Sequence, residues 1–398
     1  MVVAPPCFLP SLFFDTEMKV AVTTLAFCVA ALLALGMVML YSASMTSNGA
    51  HDLEMQLVWC GAGLAVCVTM TALDYQWLKK LAWPLYFAAI IALMAVFIPH
   101  LGHASHGAHR WIKKFGITIQ PSEFAKLALI ILLAWYCDRN QRQMPTFKRG
   151  ILMPGALAAV ILGLIFIEPD RGATLLLATV SGLMLLLAGV RWVHLFAPGA
   201  VGAVGFVISI LHDPMRMNRI FAWLHPQQHL NGAALQARQA MIGLGSGGWL
   251  GVGLGNGMQK NGYLPEIQTD FIFANIGEEL GLVATLFIII AFVVIAGCGV
   301  LVAINAREPF GTLLAAGMTF LICLQAAINI GVVTSALPNK GLPLPFISYG
   351  GSNLLAMLTC VGILFSVARQ APVPEKSSEN ISKSSVRKGK DNPFAHAT

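Results

Sequence analysis

The chain has 398 residues, 57% of them hydrophobic and 11% charged, with a formal net charge of +7 and a mean hydropathy of +0.73. A soluble domain carries about 25% charged residues, so this chain cannot cover a water-facing surface; a soluble enzyme, a disordered protein and a fibrous repeat are excluded. What remains is an all-α polytopic membrane protein folded as one unit. Its Lys and Arg residues lie in short gaps between apolar runs, which ties the basic balance to membrane topology and not to nucleic acid.

A spanning helix needs about 20 apolar residues, and ten runs qualify. The first, 19–42, is too long for a signal-peptide core and is preceded by Asp15 and Glu17, so it is read as a retained span behind a cytoplasmic tail of residues 1–18. Runs at 55–73 and 82–99 follow. The eight cysteines (7, 28, 60, 67, 137, 298, 323 and 360) lie mostly inside apolar runs without a C-x-x-C, and read as small core hydrophobes. After the third run, His103, His106 and His109 recur without an accompanying Cys or carboxylate, and Gly102 and Gly107 oppose a helix; they are read as exposed loop histidines.

The fourth run, 120–137, opens with Gln120-Pro121-Ser122-Glu123-Phe124-Ala125-Lys126. Pro121 suits a first helical turn, where its missing N–H costs nothing. Glu123 and Lys126 share a face, with Lys126 roughly 7.5 Å below the helix start. A charge at that depth is either functional or half of a self-neutralising local pair, and the spacing leaves both open. Between the runs 150–168 and 172–190, Glu168-Pro169-Asp170-Arg171-Gly172 forms a tight turn; for Glu168 a plain hairpin suffices.

After 192–211 comes the largest gap, a loop of about 212–270 that contains nine glycines between Gly243 and Gly262. These allow tight turns and close approach to a ligand; without a G-K-[ST] they are not a phosphate-binding P-loop. Tyr263-Leu264-Pro265-Glu266-Ile267-Gln268-Thr269-Asp270 then leads into the run 271–304, where Asp270 is either a helix-capping acid or a base facing an outer cavity. Glu278 and Glu279 lie inside that run, where two adjacent acids demand a partner such as Lys126 or another cation. The runs 310–336 and 351–369 flank Pro338 to Ser352, whose prolines and glycines prevent a helix, an arrangement tolerated near a membrane where backbone lines a cavity or is buried in protein. Residues 370–398 are a polar tail, read as disordered and cytoplasmic.

With both termini inside, fifteen Lys and Arg residues fall on the cytoplasmic side and nine outside, with Lys126 in a helix; the bias supports that orientation and an even number of spans. As a group the nine outer cations suggest an anionic ligand, with phosphate the natural candidate.

The motifs together resemble the SEDS family (shape, elongation, division and sporulation) of membrane-embedded peptidoglycan polymerases. The matching segments are Arg110-Trp111-Ile112, Gln120 to Lys126, Pro169-Asp170 with Gly172, Gly251 to Gly255, Tyr263 to Gly281 and Lys340 to Ser352, covering nearly the whole chain. Gly255-Asn256 leading to Tyr263-Leu264-Pro265-Glu266, with Lys340 to Phe346, is closer to the division branch than to the elongation branch. The chain departs at Arg171, where an apolar residue is usual, at Gln268 in place of a common His, and at Asn256-Gly257-Met258.

The resemblance implies ten spans, both termini cytoplasmic, residence in the cytoplasmic membrane at the division septum, and septal cell-wall synthesis. It implies lipid II (undecaprenyl-pyrophosphate disaccharide pentapeptide) as substrate among the membrane lipids. The implied partners are a class B penicillin-binding transpeptidase and other division membrane proteins. Joining an α-linked donor to a 4-hydroxyl with a β-1,4 product takes one inverting displacement, with Asp270 as base. Lys126 is the candidate cation to keep Asp270 ionised. Arg110, Arg171, Arg238 and Lys340 are candidates for the pyrophosphate, and Glu123 and Ser348 join the expected substrate-binding set. No metal ligand cluster declares itself, although magnesium or manganese at the pyrophosphate fits the chemistry. A lipid II flippase, an elongation-type polymerase and a scaffold for the transpeptidase are the rival readings.

Overall fold

The computed structural model describes residues 12–45, 49, 51–98, 102–105, 108–114, 117–224 and 233–372. In a bilayer a backbone must satisfy its own polar groups, so long apolar runs become helices. In chain order these begin with α1 (Leu12–Ser44), α2 (His51–Ala72) and α3 (Gln76–Ala95). A small antiparallel sheet follows, ordered β1 (Gly102–Ser105), β2 (Ala108–Lys114), β3 (Ile117–Ile119). Then come α4 (Pro121–Arg139), α5 (Met153–Ile167), α6 (Arg171–Leu187), α7 (Trp192–Leu211), α8 (Pro214–Leu224), α9 (Ala233–Ser246), α10 (Ile272–Ile304), α11 (Pro309–Val333) and α12 (Gly351–Arg369). All ten predicted runs are helical. Among the described residues eight helices are long and apolar enough to cross a membrane, α5 being counted with the helical turn Lys148–Leu152 that runs into it; of the other two, α4 carries Glu123, Lys126, Asp138 and Arg139, and α6 has 17 residues.

The helix starts follow from local chemistry. Pro121 and Pro309 occupy first turns, and the Asp170 carboxylate accepts the Ala173 N–H at 3.0 Å to cap α6. At the centre, α12 lies against α2, α4 against α3 and α11, and α10 against α1 and α11. Small residues permit that closeness: a side chain on Gly63 of α2 would strike Leu358 of α12, and one on Gly362 would strike the Cys67 backbone. α7 differs, since none of its residues is buried.

One expectation gains detail and one needs correcting. The segment 212–270 joins two long helices, as expected, and carries helices of its own. It contains α8 and α9, and α9 packs along α10. The residues between α3 and α4 are not all loop: His103 and His109 lie in paired strands, with His103 opposite Trp111 and His109 opposite Ala104. The histidine side chains, His106, the tail from residue 373 and residues 1–11 lie outside the described residues.

Candidate active site

The glycine-rich segment builds the floor of the site, because its backbone packs on a break in α10. Gly281 (φ 75°) interrupts that helix, and Val252 N–H and Gly253 N–H donate to the carbonyls of Glu278 and Glu279 at 3.0 Å each. Leu282 N–H donates back to Gly248 O at 2.9 Å. Gly251 (φ 80°) lies so close to the Glu279 carbonyl that a Cβ would overlap it. The close approach expected of these glycines is therefore to α10.

Glu278 and Glu279 fasten the same segment. Glu278 accepts the N–H groups of Met258 (2.8 Å) and Gln259 (3.2 Å), and Glu279 accepts the Gly255 N–H at 3.0 Å. The cation for Glu279 is Lys260 at 2.9 Å, with the Ser42 hydroxyl of α1 donating to the same carboxylate. Lys126 does not pair with either acid. A buried carboxylate survives when charge or hydrogen bonds replace its water; Glu279 has both, and Glu278 has its two amide donors.

Above that floor the chain turns at Glu266 and presents Asp270. The amides of Thr269, Asp270 and Phe271 all donate to the Glu266 carbonyl, which makes the turn compact. Phe271, not Asp270, is the N-cap of α10, so the capping reading of Asp270 does not hold. The Asp270 carbonyl accepts Asn329 Nδ2 at 2.8 Å, and the same amide donates to Leu342 O at 2.7 Å. The carboxylate lies against Gly341, where any side chain would collide with Oδ2. Burial, with the Glu266 and Asp170 carboxylates, pushes Asp270 up to about 7, against the pull of the Arg110 and Arg219 guanidiniums.

The predicted residues separate into two groups. Arg110, carried on β2, donates from Nε to Glu168 O (3.1 Å) and from a terminal nitrogen to Pro169 O (2.6 Å), placing its charge within reach of Asp270. Lys340, on the segment after α11, packs its ammonium 4.7 Å from the Phe206 ring centre of α7. Arg171 stacks over Phe166, and Arg238 is exposed on α9.

Lys126, Glu123 and Ser348 are buried and bound to other partners. Lys126 is fully buried and binds Glu123 (2.8 Å) and Gln325 Oε1 (3.1 Å). The expectation that Lys126 holds Asp270 ionised gives way to Arg110 and Arg219, the cations that act on it. Ser348 is buried, and its hydroxyl accepts the Leu344 N–H at 2.7 Å, tying its own loop.

Three contributors escaped the sequence reading. Gln325 and Asn329 are one turn apart on α11. Gln325 donates to Pro343 O (2.9 Å) and Asn353 Oδ1 (2.8 Å), while Asn329 holds Asp270 and Leu342. Their signal was two amides at i, i+4 in an apolar run, which invites a question about partners but cannot name them. Arg219, in the segment 212–270, has no motif around it to mark it. Among the described residues no group of three or more His, Cys, Asp or Glu side chains is placed to hold a metal ion.

A family model described as cell cycle protein, spanning FtsW, RodA and SpoVE, matches residues 23–372. A protein of Trichlorobacter lovleyi named "probable peptidoglycan glycosyltransferase FtsW" is 39% identical over 360 residues, 88% of this chain and 94% of its own. The stage V sporulation protein E of Bacillus subtilis is 36% identical over 344 residues, 85% of this chain and 94% of its own. Among solved structures, a chain from work on the structural coordination of polymerization and crosslinking by a peptidoglycan synthase complex superposes with a TM-score of 0.74. The two share 26% identity, covering 87% of this chain and 96% of that one.

Proposed function

The chain belongs to the FtsW, RodA and SpoVE family of cell cycle proteins, and from that premise we propose that it is a peptidoglycan glycosyltransferase polymerising lipid II for septal wall synthesis. It is a multi-pass membrane protein of the cytoplasmic membrane, and the cation bias argues for both termini on the cytoplasmic side. The single observation that carries the catalytic assignment is the setting of Asp270. Its carboxyl is poised near 7, pressed against Gly341, and flanked by Arg110 and Arg219.

The reaction needs a base for the acceptor 4-hydroxyl and positive charge for the departing pyrophosphate. Asp270 takes the hydroxyl proton as the oxygen attacks the donor anomeric carbon from the face opposite the α-linked pyrophosphate. The bond to pyrophosphate breaks and the new linkage is β-1,4. Arg110 and Arg219 are the nearby cations for the leaving group, with Lys340, Arg171 and Arg238 further candidates on the outer side. A magnesium or manganese ion carried in with the pyrophosphate would add positive charge beside the leaving oxygen. The glycan then passes to a crosslinking partner, for which a class B penicillin-binding transpeptidase fits, and other division membrane proteins complete the expected assembly. The work that yielded the similar solved chain concerns a synthase complex that polymerises and crosslinks, which supports that pairing.

The test is polymerisation of lipid II by the purified chain in liposomes, with and without a cognate transpeptidase. Wild type is expected to make long glycan. Asp270→Ala is expected to lose at least the roughly 10²-fold that a positioned base contributes, while melting at an unchanged temperature. Labelled lipid moving across the bilayer without glycan elongation would favour the flippase reading.

A further inference from the structure

The turn between α5 and α6 holds a carboxyl group that the scheme above does not use. Glu168 follows the last residue of α5 and is completely buried, and among the described residues neither of its carboxylate oxygens has a hydrogen-bond partner. An ionised carboxylate in that position would be costly. Burial and the Asp170 carboxylate on the same turn push Glu168 up to about 8, while Arg110 from β2 pulls it down. Arg171, first residue of α6, lies over the Phe166 ring.

Arg110 connects this group to the site. Its guanidinium hydrogen-bonds the backbone carbonyls of Glu168 and Pro169, not the Glu168 carboxyl group, and its charge acts on both Glu168 and Asp270. One cation thus acts on two carboxyl groups. Which one it serves depends on which is charged, since an ion pair in a low-dielectric pocket outweighs a bond to a neutral carbonyl.

We propose that Glu168 is a positioning residue for Arg110: by keeping its proton it leaves the guanidinium seated on the two carbonyls, free to serve Asp270 and an anionic ligand. Loss of that proton makes the buried carboxylate a competing partner and draws Arg110 inward. This rests on the polymerase reading, in which Arg110 faces the pyrophosphate. The signs are opposite for the two groups. Activity rises as pH passes about 7, where Asp270 ionises, and falls above about 8, where Glu168 does. One unit above its midpoint roughly a tenth of Glu168 stays neutral, and because the two limbs overlap at the optimum near pH 7.5, the wild-type rate should fall about sixfold between that optimum and pH 9.

The experiment is lipid II polymerisation by the full chain with its transpeptidase across pH 6 to 9, for wild type and Glu168→Gln. The glutamine variant is expected to keep the rise at neutral pH and lose the alkaline fall. An alkaline fall that persists in Glu168→Gln overturns the proposal, as does a rate lowered equally at every pH in a variant that melts like wild type. Infrared difference spectra between pH 7 and pH 9 supply a readout independent of activity and of that variant's folding. In an Asp270→Asn background the proposal requires one protonated carboxyl that titrates near 8, and its absence overturns the idea. Failure of wild type to make glycan would count against the polymerase reading, and the infrared titration would still decide the state of Glu168.

Discussion

As the proposed base, Asp270 works only when ionised, so its rate contribution should rise with pH through about 7, and Asp270→Asn should abolish that limb along with the activity. Lys126 and Glu123 are a different case, a charge pair sealed from water. Removing Lys126 leaves the Glu123 carboxylate buried without its cation and Gln325 without its donor. A broken buried pair costs about 3–5 kcal/mol, whereas replacing both members by apolar residues of similar volume is often neutral. Lys126→Met should therefore melt well below wild type, and Lys126→Met combined with Glu123→Leu should recover much of the loss. Equal melting of the single and double variants would remove the pairing as the reason.

At the scale of elements, the glycine-rich segment and α10 form one unit. α10 has 33 residues, about 50 Å of helix against a hydrocarbon core of about 30 Å, and its first nine residues are flanked by protein before the break at Gly281. Non-helical backbone at membrane depth needs a protein partner, and the paired amides and carbonyls of Gly248, Val252, Gly253, Glu278, Glu279 and Leu282 supply it. Two glycines on that stretch should respond in opposite ways. Gly251 has positive φ and no room beside Glu279, so Gly251→Ala should cost more than the roughly 1–2 kcal/mol of the left-handed conformation alone. Gly245 lies in α9 facing open space, so Gly245→Ala should be neutral or stabilising by about 0.4–1 kcal/mol. Thermal melting of the two variants checks the contrast.

At the scale of the whole molecule, the segment after α11 gathers the elements around Asp270. Trp223 of α8 donates to Ser335 O at 2.8 Å, Asn339 donates to Gln236 of α9 at 2.8 Å, Lys340 lies over Phe206 of α7, and Tyr349 N–H donates to Gln268 O at 3.0 Å. A rigid Pro- and Gly-rich segment suits that task, because several elements must be fixed against one non-helical surface. Orientation gives the test at this scale. A membrane-impermeant thiol reagent applied to intact cells should label a cysteine replacing Arg238 and not one replacing Arg142. The described native cysteines all lie within helices and are buried or half-buried, which keeps the background low. Labelling at Arg142 alone would invert the topology.

The ten helices were legible from the sequence because hydrocarbon imposes a local rule: a long apolar run has no other way to satisfy its backbone. Family membership was legible too, since it rests on residues close together in the chain, such as Tyr263 to Gly281 and Lys340 to Ser352. The partners of buried charges were not legible. Glu279 could have met Lys126 and meets Lys260, and Asp270 draws its cations from β2 and α8. The Gln325 and Asn329 amides join α11 to segments 13 to 59 residues away. Hydropathy and helix periodicity are properties of a segment and can be read along it, whereas a salt bridge between distant segments exists only once packing has brought them within about 4 Å. Tertiary structure alone decided that Glu168, which as sequence is one acid in a turn, is sealed beside Arg110 with neither carboxylate oxygen hydrogen-bonded among the described residues.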